Sequence, residues 1–303
     1  MLLVMRLPAC VALVMCVALP GTFAGTALAA GQDPAALLAA AERGEAESQY
    51  RLGLAYQRGD GVPRNRAEGA RWLRLAADQG HAEAQNDLGN AYANGAGVLQ
   101  DAAEAVRWFR LAAEQDFAVA QGNLGLAYAN GVGVLRDDAE ALRWFRLAAA
   151  QELPIAQHHL GLAYANGLAV EEDAAEAVRW FRLAADQGHA DARYNLAVAH
   201  ANGLGGLLQD AAEAVRWFRL AADQGHSAAQ GNLGIAYSNG LGVARNAVEA
   251  VRWYRLAAER GYGGAEFALP ELEAIMTSEE LEEAERLARE WRFDFRQRRL
   301  GRR

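Results

Sequence analysis

Six tryptophans recur at a nearly constant interval along this chain. The interval is 36 residues, with one step of 37, and the residues are Trp72, Trp108, Trp144, Trp180, Trp217 and Trp253. The residues around each tryptophan recur with it, so the chain contains six copies of one unit. A period of this length indicates a solenoid, in which a unit cannot bury its own apolar face and has to stack on the next. Such an architecture favours binding over catalysis.

Each copy has the pattern of two helices. In the second copy the helices are predicted over about residues 82–93 and 102–115, because apolar residues recur there at helical spacing. The second helix has a wide apolar face, which contains Trp108 and Phe109, and a charged face of Glu and Arg. We therefore predict an all-α fold: a right-handed α-solenoid of helix-turn-helix repeats with a 36-residue period, six full copies and caps at both ends.

The ends of the helices are encoded in every copy. An Asp or Asn precedes each second helix and a Glu follows three residues later, as in Asp101 and Glu104, which resembles a capping box. Glycines such as Gly95 supply the left-handed residue that ends a helix. Asp116 and Glu152 stand where four other copies have such a glycine, so these two joints are expected to be less favourable.

One glycine recurs inside the first helix in five copies. A glycine there costs about 1 kcal/mol relative to alanine, so its recurrence implies that something large approaches the backbone. We predict that this neighbour is the indole of the same copy, as in Trp108 over Gly89.

The recurring residues resemble the Sel-one-like repeat, a relative of the tetratricopeptide repeat. In the second copy the resemblance rests on Ala82, Gln85, Leu88, Gly89, Tyr92, Gly95, Gly97, Val98, Ala105, Trp108, Ala112 and Ala113. It extends over residues 46–262. The departures are Arg193 in place of Gln, His200 in place of Tyr, Ala169 in place of Gly, and one extra glycine within residues 203–206.

The flanking segments differ from the repeats. Residues 1–29 combine a positive start, an apolar stretch and a small-residue cleavage site, which predicts a secretory signal peptide and a periplasmic or secreted protein. Residues 30–45 are expected to form an N-terminal half-repeat cap. Residues 263–291 should form C-terminal capping helices, the first of them halted at Pro270 and the second ending near Trp291. Residues 292–303 form an arginine-rich tail.

The sequence offers little for catalysis. The only cysteines, Cys10 and Cys16, lie in the predicted signal peptide, and the net charge of the whole chain is −8. The chain has no phosphate-binding loop in a strand-to-helix context and no H-E-x-x-H motif. Adjacent His158 and His159 point about 100° apart on a helix and are poor joint ligands. No catalytic residue, metal site or cofactor is predicted.

The two residues before the recurring Leu of each first helix vary between copies. In tetratricopeptide superhelices the first helices line the concave face, so the resemblance implies that these positions contact a partner. The candidate partner-binding residues are Tyr50, Arg51, Asp87, Asn123, His158, His159, Tyr194, Asn195 and Asn232. The other interpretation is structural, because an Asn that recurs at one position is also what an internal hydrogen-bond ladder would produce.

The resemblance implies a function as well. Members of the family act as scaffolds for protein complexes, so we expect a monomeric, non-catalytic interaction scaffold or adaptor of the cell envelope that binds a protein or peptide on its concave face. One alternative is an enzyme-like secreted protein that acts on cell-wall material or binds β-lactams, as some secreted relatives do, but those relatives have a cysteine pair in each repeat, which this chain lacks. A purely structural spacer is a further alternative. The arginine tail suggests a weak contact with an anionic membrane or an acidic protein, or else a solvated end. Nucleic acid is not an expected partner.

Overall fold

The computed structural model describes residues 34–300. The predicted signal peptide, residues 1–29, lies outside the described residues. Within 34–300 the chain forms fifteen α-helices and no β-strand, which confirms the all-α prediction. None of these helices has the combined length and apolar character needed to cross a membrane.

The helices follow one another at short intervals. Their bounds are α1 Pro34–Glu42, α2 Ala46–Arg58, α3 Arg66–Asp78, α4 Ala82–Asn94, α5 Ala102–Ala113, α6 Ala118–Asn130, α7 Asp138–Ala150, α8 Pro154–Asn166, α9 Ala174–Asp186, α10 Ala190–Asn202, α11 Ala211–Ala222, α12 Ser227–Asn239, α13 Ala247–Ala258, α14 Gly263–Glu273 and α15 Ser278–Leu300. The part of the chain that the structure describes divides into two compact units, residues 34–160 and residues 161–300.

Within each unit, consecutive helices pack as pairs, and each pair packs on the next. In the first unit α2 packs on α3, α4 on α5 and α6 on α7; in the second, α10 packs on α11 and α12 on α13. The second helix of one pair also contacts the first helix of the following pair, as α3 contacts α4. This is the α-solenoid architecture predicted from the period.

The recurring tryptophan joins one pair to the next. Trp108 of α5 lies in one apolar cluster with Leu73 and Ala77 of α3 and Leu88 of α4. It therefore fills the joint between the first and second pairs. Trp144 fills the next joint in the same way, between α5 and α6.

The neighbour of the mid-helix glycine is the residue after the tryptophan. A Cβ atom on Gly89 would lie 2.7 Å from the ring of Phe109, so the prediction that Trp108 covers Gly89 is wrong. Side chains that are adjacent on a helix point about 100° apart. Because Trp108 faces the preceding pair, Phe109 faces the first helix of its own pair. The same contact recurs between Gly125 and Phe145.

The N-caps of the second helices form as predicted in one respect: the side chain of the Asp or Asn accepts hydrogen bonds from the first backbone N–H groups of the helix. Asp101 Oδ1 accepts hydrogen bonds from the backbone N–H groups of Ala103 and Glu104, both at 3.0 Å. The reciprocal half of a capping box is absent at this cap, because the Asp101 N–H donates to the carbonyl oxygen of Tyr92. Glu104 instead accepts from the indole Nε1 of Trp108 at 2.8 Å. The glutamate thus orients the tryptophan.

The glutamine of the repeat motif forms hydrogen bonds across the joint between helix pairs. Gln85 Nε2 donates to the carbonyl oxygen of Ala77, near the end of the preceding helix, at 3.0 Å, and Gln85 Oε1 accepts from Gln115 at 2.7 Å. Arg193 replaces this glutamine in the fifth copy, and its Nε donates to the equivalent carbonyl, that of Ala185, at 3.0 Å. The departure from the motif therefore preserves the bond.

A loop glycine presses against the preceding pair. A Cβ atom on Gly97 would lie 2.0 Å from the carbonyl oxygen of Arg66, at the start of α3, so a larger residue would require the backbone to shift. In the fifth copy, which has the extra residue, Gly205 approaches the carbonyl oxygen of Ala174 in the same way. Gly206 has open space around its Cβ direction.

Three residues other than glycine have a positive φ in the described chain: Asp116, Glu152 and Ala169. A left-handed conformation costs an L-residue about 1–2 kcal/mol. Asp116 gains some compensation, because its Oδ1 accepts hydrogen bonds from Gln121 and Gln151. Ala169, at φ 57°, has no side-chain polar atom that could compensate in this way.

We expect Ala169→Gly to stabilise the protein by about 1 kcal/mol, since glycine adopts positive φ without the steric cost. Denaturant unfolding of the two proteins measures the difference. Ala165→Gly, inside α8, is the matched control and should destabilise by about 1 kcal/mol. A loss of stability in Ala169→Gly would contradict the strain argument.

The C-terminal helices extend further than predicted. Helix α14 continues through Pro270 to Glu273, so the prediction that Pro270 halts it is wrong. Helix α15 runs past Trp291 to Leu300, which makes residues 292–300 of the arginine-rich tail helical. Arg292 forms ion pairs with Glu259 and Glu285 and is therefore held against the repeats.

Candidate interaction surface

In three copies the first residue of the variable pair packs against the turn residue that follows its own helix pair. The ring of Tyr50 lies 4.7 Å from that of His81, and Tyr194 stacks on His226 at 4.6 Å. His81 and His226 are the turn residues that follow the second helix of the same pair. Where the variable residue is Gly231, a Cβ atom would lie 2.2 Å from the ring of the turn residue Tyr262. Large and small residues thus compensate for one another.

The second residue of the pair takes part in a buried hydrogen-bond ladder in the first unit. Asn123 Nδ2 donates to Asn86 Oδ1 at 2.9 Å, and Asn86 Nδ2 donates to Asp87 Oδ1 at 3.2 Å. The hydroxyl of Tyr50 donates to Asp87 Oδ2 at 3.3 Å. Asn123 is 2% exposed and Asp87 8%. The ladder links α2, α4 and α6, which favours the structural interpretation of the recurring Asn.

Asp87 is a carboxyl group in an apolar setting. Burial raises its pKa to about 6, although hydrogen bonds from Asn86, Tyr50 and Asn90 and the positive charge of Arg58 oppose this rise. Burial also raises the pKa of the Tyr50 hydroxyl, as does the nearby charge of Asp87. The corresponding residues of the later copies are neutral or weakly basic: Asn123, His159, Asn195 and Asn232.

The other candidate partner-binding residues differ in exposure. Arg51 forms an ion pair with Glu47 at 2.5 Å on the surface. His159 is half-buried and stacks on Phe145, with ring centres 4.7 Å apart. Asn232 is half-buried as well, and its Nδ2 donates to the Ala228 carbonyl oxygen. The remaining two, His158 and Asn195, are buried.

The structure therefore brings only some of these residues together. Tyr50 and Asp87 are bonded, Asn123 joins them through Asn86, and the rings of His158 and His159 lie 5.4 Å apart. Tyr194, Asn195 and Asn232 belong to the second unit. Most of the polar atoms in the ladder are used within the protein, which leaves little of it for a partner.

A row of partly exposed leucines lies elsewhere, on the second helices. Each is the third residue after the recurring tryptophan, and each is 37–41% exposed. We call these residues the leucine row: Leu75, Leu111 and Leu147 in the first unit, and Leu183 and Leu220 in the second. The residue before each leucine is an arginine, so the row combines apolar side chains with positive charge.

In the sixth copy the equivalent leucine is covered. Leu256 of α13 is 0% exposed and lies in one apolar cluster with Ala288 and Trp291 of α15. Helix α15 packs on α13. The chain therefore places one of its own helices over the position that is open in the five copies of the leucine row.

Other leucines are exposed in the loops between paired helices. Leu99, Leu135 and Leu208 are 88–90% exposed. They lie two residues before the N-caps of second helices, whereas the leucine row lies within those helices.

The leucine row was not predicted from the sequence. The sequence does contain a signal, because Leu111 and its equivalents recur in the string Arg-Leu-Ala-Ala. These leucines border the charged face of the second helix, all of which was expected to face solvent. The covering helix had no such signal, because α15 lies outside the period.

The repeat pattern matches a known family along most of the chain. The Sel1 repeat model matches residues 46–81, 82–117, 118–153, 154–189, 190–226 and 227–262. The chain belongs to the Sel1 repeat family. Members of this family generally serve as protein-interaction scaffolds rather than as enzymes.

Two solved structures of Sel1 repeat proteins are similar to this chain. A Sel1 repeat protein from Oxalobacter formigenes shares 32% identity, with a TM-score of 0.68, over 75% of this chain and 88% of that protein. A protective antigen of uropathogenic Escherichia coli with an SLR fold shares 33% identity, with a TM-score of 0.60, over 86% of this chain and 63% of that protein. No curated protein matches the chain.

Proposed function

We propose that this Sel1 repeat protein is a non-catalytic scaffold of the cell envelope that holds a protein partner through its leucine row. A single exposed leucine is ordinary on a protein surface. A leucine left partly exposed at the same position of consecutive copies, three in the first unit and two in the second, gives each unit a periodic apolar surface, and such surfaces are typical of interaction sites. The leucine row is the observation that carries the proposal.

Two observations support a place outside the cytoplasm. Residues 1–29 have the composition of a secretory signal, and the related Escherichia coli protein is described as a protective antigen. Both cysteines lie in that leader, so the exported chain would fold without disulfides in an oxidising compartment.

Part of the arginine tail remains available for a weak contact with an anionic membrane. Arg296, Arg298 and Arg299 are exposed near the end of α15, whereas Arg292 is held by its two glutamates. The contact would use the positive charge of these side chains and would weaken with salt.

Site-specific photo-crosslinking in the protein's own cells tests the scaffold function. A photoreactive residue at Leu111 is expected to trap a protein partner, because this position is open on the surface. The matched control carries the same residue at Asn232, a half-buried position of the variable pair. Mass spectrometry of the adducts identifies what each position contacts.

Adducts at Leu111 that are weak or absent at Asn232 support binding on the leucine row. Adducts confined to Asn232 would show that the partner binds at the variable pair and not on the leucine row. No adduct at either position, with the chain found in a periplasmic or extracellular fraction, would favour a structural spacer.

A further inference from the structure

Helix α15 presents one apolar face to the sixth copy. Ala284, Ala288, Trp291 and Phe295 recur at helical spacing, and the first three are buried. Trp291 lies edge-on to Trp253 of α13, with ring centres 6.5 Å apart, and stacks on Phe295 at 4.7 Å. Small residues next to an aromatic thus let this helix approach α13 closely.

Acidic side chains secure the same helix. Arg255, which precedes Leu256, donates to Glu285 of α15 at 3.3 Å and to Glu273 of α14 at 2.7 Å. The arginines that precede the open leucines include Arg110, Arg146, Arg182 and Arg219, and all four are exposed. Arg110 donates to the hydroxyl of Tyr128 at 2.8 Å, the residue equivalent to Glu273. Four of the five open copies therefore present an exposed arginine beside the leucine, the two residues whose equivalents α15 contacts in the sixth copy.

We propose that the leucine row receives an acidic amphipathic helix of the partner protein, packed as α15 packs on α13. The proposal rests on the scaffold function proposed above. The recognised pattern is two small residues four apart, an aromatic three residues later, and a glutamate beside the first small residue, as in Ala284, Glu285, Ala288 and Trp291. Apolar residues fill the space over the leucine, and the glutamate pairs with the arginine.

The exposed leucines begin next to the position that α15 covers. Trp291 Nε1 donates to Asp223, at the end of α11, at 3.4 Å, and Phe295 lies against Gly225. Helix α11 carries Leu220 of the leucine row. The established contact of α15 therefore borders the first open position.

A second copy of the chain is a less suitable occupant. The apolar face of its α15 is already used within its own chain, where Ala284 and Ala288 are fully buried and Trp291 nearly so. Releasing that face would expose a tryptophan to water, which is unfavourable. A partner helix needs no such release.

A labelled peptide of residues 278–300 serves as the probe, titrated onto the exported chain with its own α15 in place. We expect saturable binding in fluorescence anisotropy, weakened at least about tenfold by Leu111→Glu with Leu147→Glu. The matched control, Leu99→Ser with Leu135→Ser, also removes two exposed leucines and should leave binding unchanged. Circular dichroism checks that both variants keep their helices.

A peptide with a reversed charge provides a second test. A peptide with Glu285→Arg should bind at least about fivefold more weakly at low salt, because it loses its arginine pair. Equal loss in the two leucine variants, or no effect of either, would overturn the proposal. A dimer in light scattering of the chain alone would overturn it in favour of a second copy.

The crosslinking result separates this proposal from the function on which it rests. If the peptide does not bind while Leu111 still traps a protein, the acidic helix is overturned and the scaffold function stands. If neither is seen, both fail.

Discussion

Trp108→Ala should lower the free energy of unfolding by about 3–5 kcal/mol. The side chain fills the joint between the first two helix pairs, where it contacts Leu73 and Leu88, and its indole Nε1 donates to Glu104. Truncation leaves a cavity and removes the hydrogen bond to Glu104. Denaturant unfolding measures the loss.

The loss should also be local, because a repeat depends mainly on its neighbours. Hydrogen exchange is expected to accelerate most in α1–α5, on both sides of the emptied joint. Phe109→Leu is the control, since the first copy has Leu73 at this position against Gly53. It should cost less than about 1.5 kcal/mol. A greater loss for Phe109→Leu than for Trp108→Ala would contradict the assignment of the tryptophan to the joint.

Asp87→Asn should stabilise the protein at pH 7.5 by up to about 3 kcal/mol. The pKa of Asp87 is about 6 in the folded protein against 3.8 for an ordinary aspartate, so folding favours the protonated carboxyl. The stability gained from this proton is present below about pH 4 and is lost as the pH rises through 6. A shift of about 2 units corresponds to about 3 kcal/mol.

Denaturant unfolding of wild type and Asp87→Asn between pH 4 and 7.5 measures the effect as a difference, in which the other titrating groups largely cancel. Asparagine keeps an acceptor for Tyr50 or Asn86 and is the residue of the third copy, Asn123. The advantage of the variant should shrink towards zero near pH 4. An advantage that does not change with pH would show that the pKa of Asp87 is not raised in the folded protein.

Local features of the fold could be predicted from the sequence because their causes are local. The acceptor at Asp101 and the glycine at Gly95 define helix ends through bonds that span a few residues. The 36-residue period then predicts that these helices stack. Neither argument says which of two adjacent rings, Trp108 or Phe109, faces the glycine, since that depends on the rotation of one helix against another.

The contacts of the candidate partner-binding residues could not be predicted for a similar reason. A residue that varies between copies is either free on the surface or matched by a varying neighbour, and the sequence alone does not separate these cases. Tyr50 with His81 and Gly231 with Tyr262 are matched neighbours. The packing of α15 on α13 could not be predicted either, because it joins a repeat to a segment outside the period.

The close approach of Gly97 to Arg66 has a consequence for how such chains can change in length. Where the glycine is present, this contact sets the distance between the loop and the preceding pair, and the fifth copy keeps it at Gly205 while the Cβ direction of the added residue, Gly206, faces open space. The loop therefore accommodates an added residue directly after the contact glycine. Because the same contact recurs in four copies, at Gly97, Gly133, Gly205 and Gly242, we expect duplication of a whole unit to add a segment that fits its neighbours, so gain or loss of complete copies changes the length with little disturbance.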